Sequence, residues 1–214
     1  TDAATSGPES ATEDSIVAQP TTVADESTED SAATRVDLHV KILNERVVTR
    51  AKARGIDVLV YAPHFTRLPE IRARAARFSD DDLLVVPARE VFTGPWRDRR
   101  HVLAVGLSDP IPDFITLDAA FDAFERQDAA VLIPHPLFLT VSLDADEIRT
   151  YLDRIHAIET HNLKLFSGQN RRARQLAHAV GRPGFGSSYA HLRGSIGEVV
   201  EDVRQRRQDG EPRR

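Results

Sequence analysis

From residue 35 onward, short apolar runs alternate with segments of helical period. The runs cover 36–40, 56–62, 83–91, 101–107, 129–136 and 156–162, and one further strand is expected shortly before His191. Because the runs are short, β-branched and almost continuously apolar, they are typical of strands that are buried on both faces. The segments between them place apolar residues three and four positions apart, as surface helices do. These segments cover 45–54, 69–78, 117–127, 144–155 and 170–180.

Local signals mark where several of these helices begin and end. Thr116 and Leu117 before Asp118 indicate one helix start, and Leu143 before Asp144 indicates another. Gly55 and Gly181 stand where helix C-caps belong. Strands that alternate with helices predict parallel β–α units, and therefore an α/β fold. Six or seven such units are few for a full eight-fold barrel. A compact, distorted barrel and an open doubly wound sheet both fit the pattern.

The two ends of the chain differ in composition from the region between them. Residues 1–34 are rich in Ser, Thr, Ala, Asp and Glu, and they include no aromatic residue. Such a segment buries too little apolar surface to offset its ordering entropy, so we expect a disordered acidic extension. Residues 35–204 are expected to form the folded domain. The polar stretch at 205–214 is expected to be a frayed tail.

Composition narrows the classes of function. The 214 residues include no cysteine, which excludes disulfides, thiolate ligands and a cysteine nucleophile. No apolar run approaches the roughly 20 residues that cross a bilayer, so we expect no membrane partner and a cytoplasmic location. The formal net charge is −5. Nucleic acid is therefore a conceivable but not a favoured partner, because nucleic-acid-binding domains usually carry a basic excess.

Polar residues with metal-binding side chains recur at the predicted strand ends. They are His39, His64, Glu90, His135, Glu159, His161 and His191. Because the carboxyl ends of parallel strands share one face of the fold, these distant residues are expected to converge. His101 is an exception, since it begins its run and needs a loop or a reversed strand to reach the same face. His156 and His178 are interpreted as structural.

Imidazole and carboxylate groups together suit zinc, manganese or iron. Each histidine alone is more often a structural residue than a ligand. A series of them at equivalent strand ends predicts a shared metal site of the kind that a metal-dependent hydrolase requires.

Seven short segments carry these residues: VDLHVK (36–41), VYAPH (60–64), VVPAREV (85–91), RRHVLAVGL (99–107), LIPHP (132–136), AIETHN (157–162) and GSSYAH (186–191). In this order they resemble the motifs of the PHP (polymerase and histidinol phosphatase) superfamily, over about residues 35–200. The resemblance implies a compact, distorted (β/α)7 barrel of the TIM-like PHP type. It also implies phosphate-ester hydrolysis at a centre of two or three metal ions. The ligand positions would be His39, His64, Glu90, His101, His135 and His191, with Glu90 bridging metals.

Three ligand positions depart from the family pattern. Lys41 replaces the second histidine of the opening motif, Pro63 replaces an aspartate before His64, and Tyr189 replaces the aspartate of the last motif. Because an ammonium repels a metal cation, we expect the metal beside His39 to be absent or weakly held. One or two divalent ions are therefore expected rather than three. The best-preserved site has Glu90, His101 and His135 as ligands and an open position for water.

Two hypotheses about function follow. In the first, the chain is a metal-dependent phosphoesterase that acts on a small phosphorylated substrate or a nucleotide. Lys41 would then bind a phosphate oxygen, and His64 and His191 would hold a further metal, bind phosphate or act as general acid. Arg100, in the arginine-rich loop at 92–101, could also bind substrate, although an exposed hairpin or crossover is the favoured interpretation of this loop. In the second, the barrel has lost its chemistry and serves as an RNA- or protein-binding subunit, as the PHP-like protein subunit of ribonuclease P does.

Overall fold

A computed structural model of the chain describes residues 33–139, 141–163, 165–188, 196–199 and 201–203. The predicted extension at 1–34 lies outside the described residues except for its last two positions, and the predicted tail at 205–214 lies outside them entirely. His191 and Tyr189 also lie outside them, so their predicted roles stay predictions.

Within the described residues, eight strands form one sheet. They are β1 (Thr34–Val40), β2 (Val58–Tyr61), β3 (Leu84–Thr93), β4 (Arg100–Val105), β5 (Ala130–Ile133), β6 (Ala157–Asn162), β7 (Gly184–Ser187) and β8 (Glu201–Val203). Their order is β7-β6-β5-β4-β3-β2-β1-β8, and β7 also approaches β1. The sheet therefore curls into a nearly closed barrel. This confirms the distorted barrel rather than the open sheet. The short β8, which pairs antiparallel to β1, was not predicted.

Helices connect most of the strands and cover the outside of the barrel. They are α1 (Glu45–Ala53), α2 (Leu68–Phe78), α3 (Leu117–Glu125), α4 (Ala145–Thr150) and α5 (Ser167–Ala179). Four of them match the predicted segments to within a few residues. The segment predicted as one helix over 144–155 instead breaks at Tyr151 and continues as a 3₁₀ turn over Leu152–Arg154.

The ends of the helices have the expected capping chemistry. The Thr116 hydroxyl accepts a hydrogen bond from the Ala119 N–H at 3.2 Å, and Asp144 forms a reciprocal capping box with Glu147. Gly55 and Gly181 follow α1 and α5 with φ angles of 63° and 66°. This left-handed conformation ends a helix at little cost only for glycine. The predicted start and end signals of these helices are confirmed.

Besides β8, one further strand runs antiparallel to its neighbours. β4 pairs antiparallel to both β3 and β5, whereas β1–β2, β2–β3, β5–β6 and β6–β7 are parallel. The prediction of uniformly parallel units is therefore wrong at this point. Only residues 94–99 join β3 to β4, too few for the crossover that a parallel pair requires. The reversal brings the start of β4, with His101, to the same mouth of the barrel as the ends of its neighbours.

Along each strand, the positions that face the barrel interior change from apolar to polar. Val60 and Ala62 belong to the small interior cluster, as do Ala88, Leu103 and Phe185. Because successive side chains alternate between the two faces, the next inward positions after Ala62 and Ala88 are His64 and Glu90. The apolar residues close one mouth of the barrel. The polar residues collect at the other mouth, where the helices cannot cover them.

The outward faces of the strands pack against the helices. Leu59 and Tyr61 of β2 contact a cluster that includes Val47 of α1 and Ile71 of α2. On the other side of the barrel, Val91 of β3 packs in a cluster with residues of α3 and α5. Each fully buried large side chain of this kind contributes about 1.5–3 kcal/mol. This packing stabilises the barrel and allows its interior to hold costly polar groups.

Candidate metal centre

Glu90 lies at the centre of the polar mouth. It is the inward residue near the end of β3, it pairs in register with Leu103, and its side chain is fully buried. Burying a carboxylate is very costly unless it gains charged or hydrogen-bonding partners. The structure supplies these partners from four other strands or the residues that follow them.

Imidazoles surround the Glu90 carboxylate on both oxygens. Its Oε1 lies 3.1 Å from Nδ1 of His101 and 3.2 Å from Nε2 of His135. Its Oε2 lies 2.5 Å from Nε2 of His64 and 3.7 Å from Nε2 of His39. Four of the predicted histidines therefore converge on the predicted glutamate. His64 is the most accessible of them, with 30% of its side chain exposed.

Lys41 completes this ring. Its buried ammonium contacts Oε2 of Glu90 and donates a hydrogen bond to the Ala62 carbonyl at 2.7 Å. Burial lowers the pKa of Lys41, against the opposing pull of the Glu90 charge. Burial would by itself raise the pKa of Glu90, but Lys41 and the hydrogen bonds from His101 and His135 hold it well below its usual range. Glu90 is therefore an anion at neutral pH.

The donor atoms present fit a divalent metal ion. Single ligand atoms of His64, Glu90 and His101 all lie within 4.8 Å of one another. Burial lowers the pKa of His101, against its hydrogen bond to Glu90, so its imidazole is neutral near pH 7. Its Nε2 is buried and has no hydrogen-bond partner among the described residues. A neutral imidazole that donates to a carboxylate through one nitrogen can offer the lone pair of the other to zinc, manganese or iron.

The hydrogen bonds of His135 also favour a cation. The Ser142 hydroxyl donates its one proton to the His135 carbonyl at 2.5 Å, so Nδ1 of His135 must donate to the Ser142 oxygen at 2.8 Å. Nε2 of His135 lies 3.2 Å from Oε1 of Glu90, so it donates to that carboxylate when it carries a proton and offers a lone pair to a metal ion when it does not.

Comparisons with known proteins agree with this geometry. Residues 167–211 match a family model described as PHP-associated. PsfC from Pseudomonas syringae PB-5123 superposes with a TM-score of 0.60 at 17% identity, covering 81% of this chain and 85% of that one. A candidate metal-dependent phosphoesterase from Bifidobacterium adolescentis gives a TM-score of 0.61 at 13% identity, covering 78% and 92%. The match over residues 167–211 and the shared barrel fold are what link this chain to the PHP superfamily.

Two further structures show how widely this fold is used. An amidohydrolase from Chromobacterium violaceum, which holds sulfate and no metal, superposes with a TM-score of 0.56 at 15% identity, over 79% of this chain and 92% of that one. Endonuclease Q, bound to duplex DNA with an abasic lesion, gives 0.53 at 15% identity, over 75% and 49%. At these identities the likeness shows the fold. No curated protein sequence matches the chain significantly.

The grouping of ligands differs in part from the one expected. The sequence predicted Glu90, His101 and His135 as one site, whereas the tight three-ligand group within the described residues has His64 in place of His135. His64 follows β2, and its ring reaches across the mouth to Glu90. His135 also touches Glu90 but lies outside this group. Its position is set by its positive φ of 32° and by Ser142.

The barrel holds a second buried carboxylate, Glu159 of β6, whose contacts the sequence did not predict. The Ser187 hydroxyl donates to its Oε1, and Oε2 accepts hydrogen bonds from the His135 N–H at 2.5 Å and the Asn162 side chain at 3.0 Å. His39 Nδ1 lies 3.7 Å from Oε1. Burial alone would raise the pKa of Glu159, but His39 and the other donors lower it. Glu159 was noted at a strand end, but spacing alone cannot distinguish a ligand from a supporting residue.

Asp37 is a third buried acid that no motif identified. It accepts hydrogen bonds from the Ser188 hydroxyl at 2.5 Å and from the Ser188 and Gly197 N–H groups at 3.2 Å. Burial raises its pKa, although these hydrogen bonds oppose the change. Both Ser187 and Ser188 donate to buried carboxylates.

The remaining predicted residues lie away from Glu90 or outside the described chain. The Arg100 guanidinium pairs with Glu147 at 2.8 Å and with Asp98 at 2.6 Å, so much of its charge is already balanced. Its predicted contact with substrate stays a prediction. His161 is exposed, and His178 lies on the exposed face of α5. Among the described residues, no helix is both long enough and apolar enough to cross a membrane.

Proposed function

We propose that this barrel hydrolyses phosphate esters, with one divalent ion held by His64, Glu90 and His101. The observation that carries the proposal is the convergence of these three side chains within 4.8 Å, with a buried His101 nitrogen that has no partner among the described residues. Endonuclease Q, bound to damaged DNA, shows that a related barrel can accommodate a phosphodiester. Support for metal use comes from the donor chemistry, in which neutral imidazole and carboxylate suit zinc, manganese or iron.

Each residue of the centre has a distinct part in this proposal. A divalent ion, when bound, supplies Lewis acidity toward a phosphoryl oxygen and lowers the pKa of a water molecule. Lys41 adds a fixed positive charge beside Glu90, which attracts the anionic ester and stabilises the charge that develops on its oxygens. His64 is the proposed ligand nearest the solvent, with 30% of its side chain exposed, so the ester would reach the ion from its side of the mouth. His135, fixed by Ser142, orients the Glu90 carboxylate.

The proposed substrates are small phosphomonoesters or nucleotides. The partly exposed His64 makes the centre accessible from the mouth of the barrel, whereas Glu90 and His101 are buried. The net charge of −5 disfavours tight binding of a long polyanion, although it does not rule out a short one. We also propose a cytoplasmic location, which the lack of cysteine supports without requiring.

Metal content and ester hydrolysis, measured together, test the proposal. The purified chain should hold about one equivalent of zinc, manganese or iron by elemental analysis. It should hydrolyse p-nitrophenyl phosphate or bis(p-nitrophenyl) phosphate, and EDTA should abolish this activity. His101→Ala should lose both metal and activity, whereas His178→Ala, a control on the exposed face of α5, should retain both. Equal metal content in the two variants would refute the ligand assignment.

One observation favours the second candidate function, a barrel that binds partners without catalysis. The Lys41 ammonium already contacts Glu90 and so supplies part of the charge that a metal ion would bring. A chain that contains no metal, is insensitive to EDTA and gives no turnover with either ester would support this alternative. Retention of a short RNA or a partner protein by that metal-free chain would then identify its role.

A further inference from the structure

Four aromatic rings form an apolar surface beside the metal centre, which we call the aromatic platform: Phe65, Phe92, Trp96 and Phe114. Phe92 is buried, but Phe65, Trp96 and Phe114 are 57%, 58% and 44% exposed. Exposing three large aromatic side chains side by side is costly in water and usually marks a binding surface. The platform includes the turn of the β3–β4 hairpin, where the 3₁₀ segment Trp96–Asp98 lies.

The rings of the platform contact one another in an ordered arrangement. The Phe65 and Phe92 ring centroids are 4.7 Å apart in an edge-to-face contact, and Trp96 lies 6.2 Å from Phe65 and 5.9 Å from Phe114. The Arg99 guanidinium lies 4.3 Å from the Trp96 ring centroid. Because neighbouring rings already contact each other, another ring would stack on their exposed faces rather than enter between them.

The platform is continuous with the metal centre. The Phe92 ring stacks on the His101 imidazole with a centroid distance of 3.9 Å and an interplanar angle of 5°. The same ring lies 5.0 Å from the His64 ring, and Phe65 is the next residue in the chain. A molecule whose anionic group reaches the proposed metal ligands would therefore place its adjoining part on or beside these rings.

The backbone holds two of the exposed rings in unusual conformations. Phe65 and Phe114 have φ angles of 50° and 66°, a left-handed region that bulky residues other than glycine rarely occupy. Phe114 is fixed by a hydrogen bond from its N–H to the Phe92 carbonyl at 2.6 Å. Strain of this kind persists only where the surroundings enforce it, and it concentrates at binding sites.

We propose that the aromatic platform binds the nucleobase of a nucleotide whose phosphate lies at the metal centre. This inference rests on the proposed phosphoesterase function and narrows its substrate class. A nucleobase is planar and stacks on aromatic side chains, while Arg99, placed on the platform, supplies a cation for an anionic ligand. A phosphorylated aliphatic compound would gain nothing from the three exposed rings. Stacking of one base should favour a nucleotide over the matching sugar phosphate by roughly tenfold or more.

Trp96 provides a direct readout because it is the chain's single tryptophan. Adenosine 5′-monophosphate should quench its fluorescence in a saturable way, and ribose 5-phosphate should do so only at concentrations at least roughly tenfold higher. Phe65→Ala and Phe114→Ala should each weaken the nucleotide response. Leu84→Ala is the control, since Leu84 is 53% exposed at the start of β3, at the opposite mouth of the barrel. It should leave the response unchanged.

A second measurement does not depend on the fluorophore, and binding of ribose 5-phosphate reports whether its variant is folded. Trp96→Leu, followed by calorimetry with the same two ligands, should lose most of the preference for the nucleotide while keeping the affinity for ribose 5-phosphate. A short single-stranded oligonucleotide, added as a third ligand, distinguishes a free nucleotide from a nucleic-acid end. Tighter binding of the oligonucleotide would assign the platform to the end of a strand.

Failure of this inference can be told apart from failure of the proposed function. Equal binding and hydrolysis of nucleotide and ribose phosphate, unchanged by Trp96→Leu, would overturn the platform's role while leaving the phosphoesterase intact. Absence of metal and hydrolysis, with nucleotide quenching retained, would overturn the phosphoesterase alone. Self-association that Trp96→Leu abolishes, with no response to the nucleotide, would show that a second copy of the chain covers the platform and would also overturn the inference.

Discussion

Glu90 and Glu159 are both buried carboxylates at the same mouth of the barrel, but their partners differ in kind. Glu90 contacts an ammonium and four imidazoles, all of which carry or can take up a positive charge. Glu159 accepts hydrogen bonds from three neutral donors, namely a hydroxyl, an amide and a backbone N–H, and His39, 3.7 Å away, also lowers its pKa.

This difference indicates that Glu90 can bind a metal ion, whereas Glu159 has a structural role. Neutral donors leave Glu159 satisfied without any metal, so an ion would have to displace good hydrogen bonds. The imidazoles around Glu90 can each turn a lone pair toward an ion, and the buried Nε2 of His101 already lacks a partner within the described chain. Burial alone therefore does not identify the functional carboxylate. The chemistry of its neighbours does.

The largest expected effect is the loss of Glu90. Glu90→Gln should reduce bound metal to background and lower hydrolysis by at least about a thousandfold, because it removes the anionic ligand shared by all the imidazoles. It should also destabilise the metal-free chain by about 3–5 kcal/mol, because Lys41 would stay buried without its counter-ion. Elemental analysis and urea unfolding measure the two effects.

A double variant tells the two consequences of Glu90→Gln apart. Adding Lys41→Met should restore most of the lost unfolding free energy, because no unpaired charge remains, but it should not restore the metal. Recovery of metal by the double variant would show that Glu90 is not a ligand. Glu90 and Glu159 would then no longer differ in their proposed role toward the metal ion.

Lys41 gives the next largest effect, and its two consequences have opposite signs. Lys41→Met should raise the affinity for zinc or manganese by at least roughly tenfold, since an ammonium beside Glu90 repels a divalent ion. It should also lower kcat/KM for the ester, because the charge that attracts phosphate is lost. Metal titration and steady-state kinetics test this, with the exposed Lys52→Met as the matched control. A fall in both quantities would mean that Lys41 is purely structural.

Much of the barrel could be predicted from the sequence because its physical signals are local. Apolar runs and helical period set the strands and helices, and Thr116, Asp144, Gly55 and Gly181 mark helix ends through chemistry confined to one turn. The reversal of β4 could not be derived from periodicity, which is the same for a strand in either direction. Only the brevity of the 94–99 connection and the placement of His101 at the start of its run carried that information.

The convergence of several candidate residues could be predicted from the sequence, but the geometry of their contacts could not. Strand-end positions brought His39, His64, Glu90, His101 and His135 together as expected. Which imidazole completes the three-ligand group depends on side-chain reach and on the turn after each strand, and sequence spacing does not encode these. The positive φ of His135 and its contact with Ser142 are of this kind. The hydrogen bonds around Glu159 could not be predicted, because serine and asparagine occur throughout the sequence and their positions do not show which of them bind a buried carboxylate.

Glu159 should respond differently from Glu90 when it is neutralised. Glu159→Gln should lower the unfolding free energy by about 1–3 kcal/mol, because the buried donors around it would face a neutral amide in place of a charged carboxylate. Metal content should fall by less than about threefold, because no atom of Glu159 belongs to the three-ligand group. Urea unfolding and elemental analysis of Glu159→Gln beside Glu90→Gln provide the comparison. Equal loss of metal in both variants would make Glu159 a ligand as well.

The smallest effect is expected at Ser142, which acts on Glu90 only through His135. Ser142→Ala removes the oxygen that fixes Nδ1 of His135 at 2.8 Å, so the imidazole should turn more freely and the metal affinity should fall by roughly three- to tenfold. Ser79→Ala is the matched control, since its hydroxyl also donates to a backbone carbonyl, that of Ala75, but lies at the end of α2. Both variants should lose a similar unfolding free energy, near 1 kcal/mol. Equal loss of metal in Ser142→Ala and Ser79→Ala would show that reduced stability causes it. His135 would then have no role in orienting Glu90 for metal binding.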